Sequence, residues 1–218
     1  MLDVRHRLCV VVGAGAVGMR KVARLRRAGA KVRLVAPPTG GEGEDFTGPP
    51  PAGVDVVRAR YEPGQLAGAL LVFACTDDAG VNRRVADDAR RAGALVNVAD
   101  DPEACDFLAP AVIEEGRVQV AIGTGGACPA LAGALRRRLR EHLPERIADF
   151  AEALASIRRE LLARGGGRPG RARRRNLLKR LAGRAGYNAF ISGGVEGLRR
   201  LAQAEADRSD ATEGAEAP

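Results

Sequence analysis

Three glycines near the N-terminus are spaced so that the backbone could approach a phosphate group closely. They are Gly13, Gly15 and Gly18, separated by Ala14, Ala16 and Val17, and three valines precede them. In a turn from a strand into a helix, the first glycine allows the tight turn, the second admits a pyrophosphate, and the third lets the helix pack on the strand. The helix N-terminus then offers its N–H groups to the anion. The spacing predicts a dinucleotide site; the alternative is a glycine-rich turn that has lost its ligand.

The adenosine end of this predicted site lacks its usual acidic residue. An Asp or Glu about 20 residues after the first glycine normally binds the ribose hydroxyls. The second predicted strand, at 31–35, is instead followed by Ala36, Pro37, Pro38 and Thr39. We include Pro37 among the predicted cofactor-binding residues, and the choice between NAD and NADP stays open.

Polar residues follow a continuous apolar run at 70–75, which is typical of a parallel strand buried on both faces. They are Thr76, Asp77 and Asp78, and a helix is predicted from 78 to 92. An Asp at this place commonly caps a helix by accepting hydrogen bonds from its first N–H groups. The residues alone therefore predict a cap at Asp77 or Asp78.

A second pair of carboxylates, Asp100 and Asp101, follows the predicted strand at 94–98. In a doubly wound sheet, ligands bind outside the carboxyl ends of the strands, where this pair would lie. The pair also precedes Pro102, and such a sequence is common in turns. On the residues alone, the favoured interpretation of Asp100 is a turn residue, and the role of Asp101 beside it stays open.

The elements that must position these residues alternate between strand and helix. This alternation predicts an α/β fold, a Rossmann-type doubly wound parallel sheet. A loop rich in glycine and proline is predicted at 37–53. The predicted strands lie at 8–12, 31–35, 54–57, 70–75 and 94–98, and the helices lie at 16–28 and 78–92.

The pattern changes after Pro102. Two strand-like runs, at 109–113 and 117–122, flank a turn at 114–116 and predict a hairpin. A helix with an apolar stripe follows, and further helices are predicted at about 145–163, 171–181 and 195–206. The stripe consists of Leu131, Leu135, Leu139 and Leu143. The chain is therefore divided into a Rossmann-type domain at 1–108, a small segment at 109–144, a helical domain at 145–206 and a polar tail at 207–218.

Composition narrows the function classes further. Four cysteines with no C-x-x-C pair and only two histidines give no cluster with metal-ligand spacing, and they predict reduced thiols in the cytoplasm. The sequence contains no signal peptide and no apolar run of membrane length. The net charge of +8 fits an acidic partner or a GC-rich coding bias equally well. Aromatic residues are too scarce to indicate a nucleic-acid surface.

Four local motifs are similar, in their order along the chain, to those of one family. They lie at 11–18, at 74–78 with Val81 and Asn82, at 97–100, and at 123–126 with Pro129. With these motifs the chain resembles precorrin-2 dehydrogenase/sirohydrochlorin ferrochelatase, the N-terminal module of siroheme synthases, over residues 2 to about 185. No methyltransferase domain follows, so the resemblance implies the stand-alone form; the family usually has a few more residues before Leu2, which leaves the completeness of the N-terminus open.

The resemblance implies an enzyme that oxidises precorrin-2 to sirohydrochlorin with NAD. Asp100 then matches the catalytic aspartate of the family, and Thr76 and Asp77 lie beside the ribose and nicotinamide. Thr124, Gly125 and Gly126 lie in a loop before a predicted helix, whose N–H groups could bind a carboxylate of the anionic tetrapyrrole or a cofactor phosphate. We include them as substrate-binding residues; the alternative is an ordinary turn before a helix that begins at Pro129.

The resemblance also implies a homodimer, with 109–144 as the dimerisation segment. Some members of the family insert ferrous iron, so the sequence leaves open whether this chain is a chelatase and for which metal. The alternative from another class is a non-catalytic NAD-sensing module, which would share the glycine turn but would not require Asp100.

Overall fold

The chain forms two compact units. A computed structural model describes residues 2–37, 51–163 and 168–215. The first unit consists of Met1–Ala109 with Gly125–Ala127, and the second consists of Pro110–Thr124 with Cys128–Pro218. Most of the loop predicted at 37–53, the glycines at 165–167 and the last three residues of the predicted tail lie outside the described residues.

The first unit is built on a parallel sheet of five strands with the order β3-β2-β1-β4-β5. This topology confirms the predicted Rossmann-type, doubly wound α/β fold. Helices α1 (Ala16–Arg27) and α2 (Ala79–Arg91) connect strands, and a short 3-10 turn spans Pro63–Leu66. The strands are β1 (Leu8–Val12), β2 (Lys31–Ala36), β3 (Val54–Arg58), β4 (Leu71–Ala74) and β5 (Leu95–Val98).

Alternating residues of the central strand β1 supply both faces of the core. Val10 and Val12 pack on the face that α2 covers with Val85. Val11 packs on the opposite face, which α1 covers with Val22. Because both faces are buried, the strand reads as an unbroken apolar run. The order of the strands reverses between β1 and β4, and the crevice at their carboxyl ends is where such sheets bind ligands.

The second unit begins with an antiparallel hairpin of β6 (Ala111–Glu115) and β7 (Val118–Ile122), in which Ile113 pairs with Val120. Its turn lies at Gly116 and Arg117, so the turn predicted at 114–116 is placed too early. Gly116 has φ +58, a conformation that favours glycine, and this fixes the position of the turn. Four helices follow: α3 (Pro129–Glu141), α4 (Ile147–Ala163), α5 (Arg168–Leu181) and α6 (Arg184–Ala215).

Helix α6 is longer than the helix predicted at 195–206. Its first three turns supply Phe190, which is buried, and Tyr187, whose ring stands edge-on to Phe150 with centroids 5.3 Å apart. Gly194 interrupts the helix with φ +59 and ψ −151, a conformation available almost only to glycine. Residues 207–215, predicted as part of a polar tail, continue this helix. Across the described ranges, no helix combines the length and apolarity that crossing a bilayer requires.

Candidate active site

Two of the three motif glycines are required by the fold itself. Gly13 has φ +104, and a Cβ added there would lie 2.4 Å from the carbonyl oxygen of Cys75 on β4. A Cβ added at Gly18 would lie 2.1 Å from the carbonyl oxygen of Gly13. Both distances are impossible for real atoms, so a side chain at either position would displace backbone. These glycines bring the end of β1, the start of α1 and the end of β4 into contact.

Gly15 has a different role, because its backbone does not require glycine. It is the N-cap of α1, with φ −61 and ψ 175, which any residue adopts. Gly15 has no side chain with which to cap the helix, and the first turn of α1 contains no acidic residue. The positive end of the helix dipole favours an anion at this place. Around it, Ala16 is exposed, Val17 is half-buried, and Pro37 is exposed just after β2.

The turn after β4 is held by a buried asparagine. Asn82, 7% exposed, accepts hydrogen bonds from the Thr76 amide at 3.1 Å and the Thr76 hydroxyl at 2.7 Å. Its own amide donates to the Thr76 carbonyl at 2.8 Å. Asp78 caps α2 by accepting from the amides of Gly80 and Val81 at 2.7 and 3.1 Å. Capping therefore falls to Asp78, and the neighbouring carboxylate of Asp77 is exposed.

Asp100 lies at the tip of a loop that turns back beside β5. It is exposed, with φ +60, and its carboxylate makes no hydrogen bond or ion pair with the described residues. Asp101, by contrast, accepts a hydrogen bond from the Ala104 amide at 3.2 Å. The returning chain pairs with β5, since the Asp106 amide donates to the Val96 carbonyl at 2.8 Å. Both carboxylates can still accept hydrogen bonds from a ligand, and that of Asp100 is the more exposed of the two.

Cys105 anchors this loop, although its sequence context predicts only a reduced thiol. The sulfur of Cys105 accepts hydrogen bonds from the Val98 amide at 3.1 Å and the Asn97 side chain at 3.3 Å. It also lies 3.2 Å from the Asp101 carbonyl, to which its S–H can donate. Asn97 donates in addition to the Phe107 carbonyl at 3.0 Å. Asn97, an asparagine inside a strand predicted to be buried, is the sequence signal that could have indicated these hydrogen bonds.

Charged groups of two elements meet near the end of β4. Burial raises the pKa of the Cys75 thiol to about 11; the Asp100 carboxylate also raises it, while Lys21 and Arg20 of α1 act in the opposite direction. Burial lowers the pKa of the Lys21 ammonium. That ammonium donates to the Asn97 side chain at 3.4 Å and lies 5.2 Å from the centroid of the Phe73 ring. The Lys21 ammonium therefore lies between Phe73 of β4 and Asn97 of β5, which precedes the Asp100 loop.

The loop predicted to bind substrate is partly occupied by its own hydrogen bonds. The Thr124 hydroxyl accepts from the Cys128 amide and donates to the Cys128 carbonyl, each at 3.2 Å. Gly125 and Gly126 have φ +62 and +85. Within the first unit, a Cβ added at Gly126 would lie 3.1 Å from that of Pro102. Gly126 thus packs beside the turn that follows Asp100, whereas Thr124 belongs to the second unit.

Comparison with known proteins agrees with this geometry. A family described as putative NAD(P)-binding matches residues 1–111, which include the glycine turn and Asp100. A siroheme synthase of Chromobacterium violaceum is 40% identical over 163 residues, which are 75% of this chain and 34% of that protein. Siroheme synthase 1 of Pectobacterium atrosepticum is 36% identical over 206 residues, 94% of this chain and 40% of that protein.

A solved structure extends the similarity through the second unit. The structure titled "SirC, precorrin-2 dehydrogenase" has a TM-score of 0.71 and 25% sequence identity, and the match covers 93% of this chain and 98% of that one. The chain spans about a third of the length of the curated relatives it matches. These similarities confirm the family resemblance that the four motifs indicated. The chain belongs to the family of putative NAD(P)-binding proteins and is homologous to siroheme synthases over most of its own length.

Proposed function

We propose that this chain is a precorrin-2 dehydrogenase that uses NAD to form sirohydrochlorin. In this reaction one hydride passes from the macrocycle to C4 of the nicotinamide, and one proton leaves the macrocycle. The observation that carries the proposal is the shared position of two features at the carboxyl edge of one parallel sheet: a glycine-lined helix start with no acidic residue in its first turn, and an aspartate whose carboxylate has no partner among the described residues. The names of the similar proteins supply the substrate class.

Each predicted site residue then has a chemical role. The turn around Gly15, with Ala16 and Val17, binds the pyrophosphate through backbone N–H groups. Thr76 and Asp77 lie beside the ribose and nicotinamide, and Pro37 borders the adenosine. NAD supplies the hydride acceptor when it is bound.

Asp100 accepts the proton as the general base. Its carboxylate is exposed and has no hydrogen-bond partner among the described residues, so it is available to substrate. Asp101 is less exposed, and its carboxylate accepts a hydrogen bond from the Ala104 amide, so we assign the role of base to Asp100. We assign Thr124, Gly125 and Gly126 to the binding of substrate carboxylates.

The proposed reaction is tested by mixing the purified chain anaerobically with precorrin-2 and NAD⁺ and recording NADH absorbance together with the spectrum of sirohydrochlorin. We expect both to rise in equal amounts. A chain that binds NAD⁺ but forms neither product would instead be the non-catalytic NAD-sensing module. Parallel reactions with NADP⁺ determine which dinucleotide is preferred.

We further propose that ferrous iron is a second substrate, inserted into sirohydrochlorin at the same site. Siroheme, named in the relatives, is the iron complex of this macrocycle. Insertion requires two pyrrole protons to leave, and Asp100 is the base that would accept them one at a time, releasing the first to solvent before it accepts the second. Addition of Fe²⁺ to the chain with sirohydrochlorin should produce the siroheme spectrum.

We place the chain in the cytoplasm, because its four cysteines are free thiols.

We propose that the chain acts as a homodimer that buries the apolar stripe of α3. Three leucines of this stripe are exposed, although leucines of a helix are usually buried: Leu131 is 49%, Leu135 36% and Leu139 44% exposed. They recur at helical spacing on one face. A second copy of the same face is the occupant that the family resemblance supplies.

Replacing Leu135 with glutamate should weaken this dimer strongly, because the change places a charge in an apolar seam. We expect sedimentation at micromolar concentration to give a dimer for the wild type and a monomer for Leu135→Glu. Leu162→Glu is the matched control, since Leu162 is 51% exposed on α4 and lies outside the stripe. A monomeric wild type contradicts the proposal outright.

A further inference from the structure

One buried side chain, that of Asn97, joins β5 to the loop that carries Asp100 and to helix α1. Its amide nitrogen donates to the Phe107 carbonyl at 3.0 Å and to the Cys105 sulfur at 3.3 Å. Its carbonyl oxygen accepts from the Lys21 ammonium of α1 at 3.4 Å. Since Asn97 is only 6% exposed, these three protein groups take the place of water around its amide.

The Lys21 ammonium helps to determine which way the Asn97 amide points. An ammonium can only donate hydrogen bonds, and a backbone carbonyl can only accept them. The amide oxygen must therefore face Lys21, and the amide nitrogen must face the Phe107 carbonyl. A flipped amide would set two donors against each other at one end and two acceptors at the other. In the observed orientation the nitrogen also reaches the Cys105 sulfur.

The Cys105 sulfur extends this arrangement to the residues on both sides of Asp100. It accepts from the Val98 amide at 3.1 Å and lies 3.2 Å from the Asp101 carbonyl, to which its S–H can donate. The backbone of Asp100, with φ +60, is thus held between two fixed points. A connected series of hydrogen bonds leads from Lys21 on α1 to the turn that presents the Asp100 carboxylate.

We propose that Lys21 is a positioning residue, which acts through Asn97 to hold the Asp100 carboxylate in place for proton transfer. This inference rests on the proposed function, in which Asp100 is the base. Helix α1 then has two roles, because its N-terminus provides for the pyrophosphate and its second turn holds the base. One helix would set the position of the cofactor relative to the group that accepts the proton.

The later part of the loop has an anchor that does not involve Lys21. The guanidinium of Arg90 on α2 donates to the Asp106 carboxylate at 3.0 Å and to the Ala104 carbonyl at 2.7 Å. Loss of the Lys21 ammonium should therefore loosen the turn at Asp100 without detaching the whole loop from the sheet.

A lysine whose stem only covers apolar surface is the alternative explanation for Lys21, since its ammonium lies 5.2 Å from the centroid of the Phe73 ring. Lys21→Met separates the two explanations, because methionine keeps an unbranched apolar side chain and removes the ammonium. The lost bond to Asn97 and the removal of a half-buried charge have opposite effects on stability. The variant should therefore fold, with a thermal unfolding temperature close to that of the wild type.

The experiment makes three measurements on wild type, Lys21→Met and Arg27→Met. They are kcat and KM with precorrin-2 and NAD⁺, NAD⁺ affinity by calorimetry, and the rate at which iodoacetamide alkylates Cys105, followed by the mass of its peptide. For Lys21→Met we expect kcat to fall about tenfold to a hundredfold, the effect of a misplaced catalytic group, with KM and NAD⁺ affinity within about twofold of wild type. Alkylation of Cys105 should become faster, because the Asn97 amide no longer holds its sulfur firmly.

Asn97→Leu tests the route from Lys21 to the loop. If Lys21 acts through Asn97, the double variant Lys21→Met/Asn97→Leu should lose no more activity than Asn97→Leu alone. Losses of kcat that multiply in the double variant would show that Lys21 acts independently of Asn97, and would overturn the inference. NAD⁺ binding shows that each variant is folded.

Arg27→Met is the matched control, because it removes the same charge from an exposed residue in the last turn of α1. An equal loss of kcat in this variant would indicate only a net-charge effect and overturn the inference. So would a Lys21→Met protein in which either kcat or the alkylation of Cys105 is unchanged, since both must move if Lys21 positions Asp100. A wild-type chain that does not oxidise precorrin-2 would contradict the proposed function, whereas the alkylation rates would still show whether Lys21 holds the loop.

Discussion

Replacing Asp100 with asparagine should lower the rate of NAD⁺ reduction by precorrin-2 about a hundredfold to ten-thousandfold, the usual effect of losing a general base. Asparagine has nearly the same size as aspartate, and it tolerates the left-handed backbone conformation that Asp100 adopts at φ +60. The loop should therefore keep its shape. NAD⁺ affinity should be nearly unchanged, since the turn proposed to bind the pyrophosphate joins β1 to α1, whereas Asp100 follows β5.

Asp101→Asn is the matched control for this prediction. Its side-chain oxygen can still accept the hydrogen bond from the Ala104 amide, so the turn survives and the rate should fall only slightly. If iron insertion occurs, it should fall together with the oxidation in Asp100→Asn, because one carboxylate would serve both steps. An Asp100→Asn protein that reduces NAD⁺ at nearly the wild-type rate would leave Asp100 as a turn residue, and another base would have to be sought.

Replacing Gly15 with aspartate should abolish NAD⁺ binding while leaving the fold as stable as before or more stable. The backbone angles at Gly15 suit any residue, and aspartate is among the best N-cap residues, so its carboxylate should cap the start of α1. The same carboxylate then occupies the pyrophosphate site and repels the phosphates. Calorimetry with NAD⁺ and thermal unfolding measure the two effects separately.

Gly18→Ala provides the opposite pattern. A methyl group there would lie 2.1 Å from the Gly13 carbonyl oxygen, so this variant should lose stability, whatever its effect on the cofactor. The two glycines of one motif thus separate ligand binding from folding. Normal NAD⁺ affinity in a folded Gly15→Asp protein would remove the glycine turn from the cofactor site.

Features that depend on short stretches of sequence could be predicted for this chain. Valines before Gly13 predict a buried parallel strand, and the glycine spacing predicts the turn, because both follow from local sterics. The topology follows from the alternation of strands and helices, since parallel strands need crossover connections. The same local patterns place Thr76, Asp77 and Asp100 after strands, and their roles in binding and catalysis stay predictions.

Features that depend on distant residues could not be predicted. Cys105 and Asn97 hold the Asp100 loop through bonds that form only once the chain has doubled back beside β5. The first turns of α6 lack a strong helical signal because glycines interrupt their apolar residues, and packing of Phe190 in the core stabilises them. Which of Asp77 and Asp78 caps α2 depended on a backbone geometry that either residue could satisfy in principle.

The hydrogen bonds of the Cys105 sulfur, which hold the Asp100 loop, affect how chemical labelling of this protein should be interpreted. Cys105 contacts the backbone of Val98 and Asp101 and the side chain of Asn97, all within 3.3 Å. An alkyl group on that sulfur would separate these partners and release the loop. In a protein whose exposed Cys128 is replaced by serine, inactivation by iodoacetamide or maleimide, which is usually taken as a sign of a nucleophilic thiol, would report the loss of the hydrogen bonds around Cys105. If NAD⁺ or substrate protects the protein from this inactivation, the reason would likewise be that the Asp100 loop is held closed. The Cys105 sulfur would take no part in the proposed reaction.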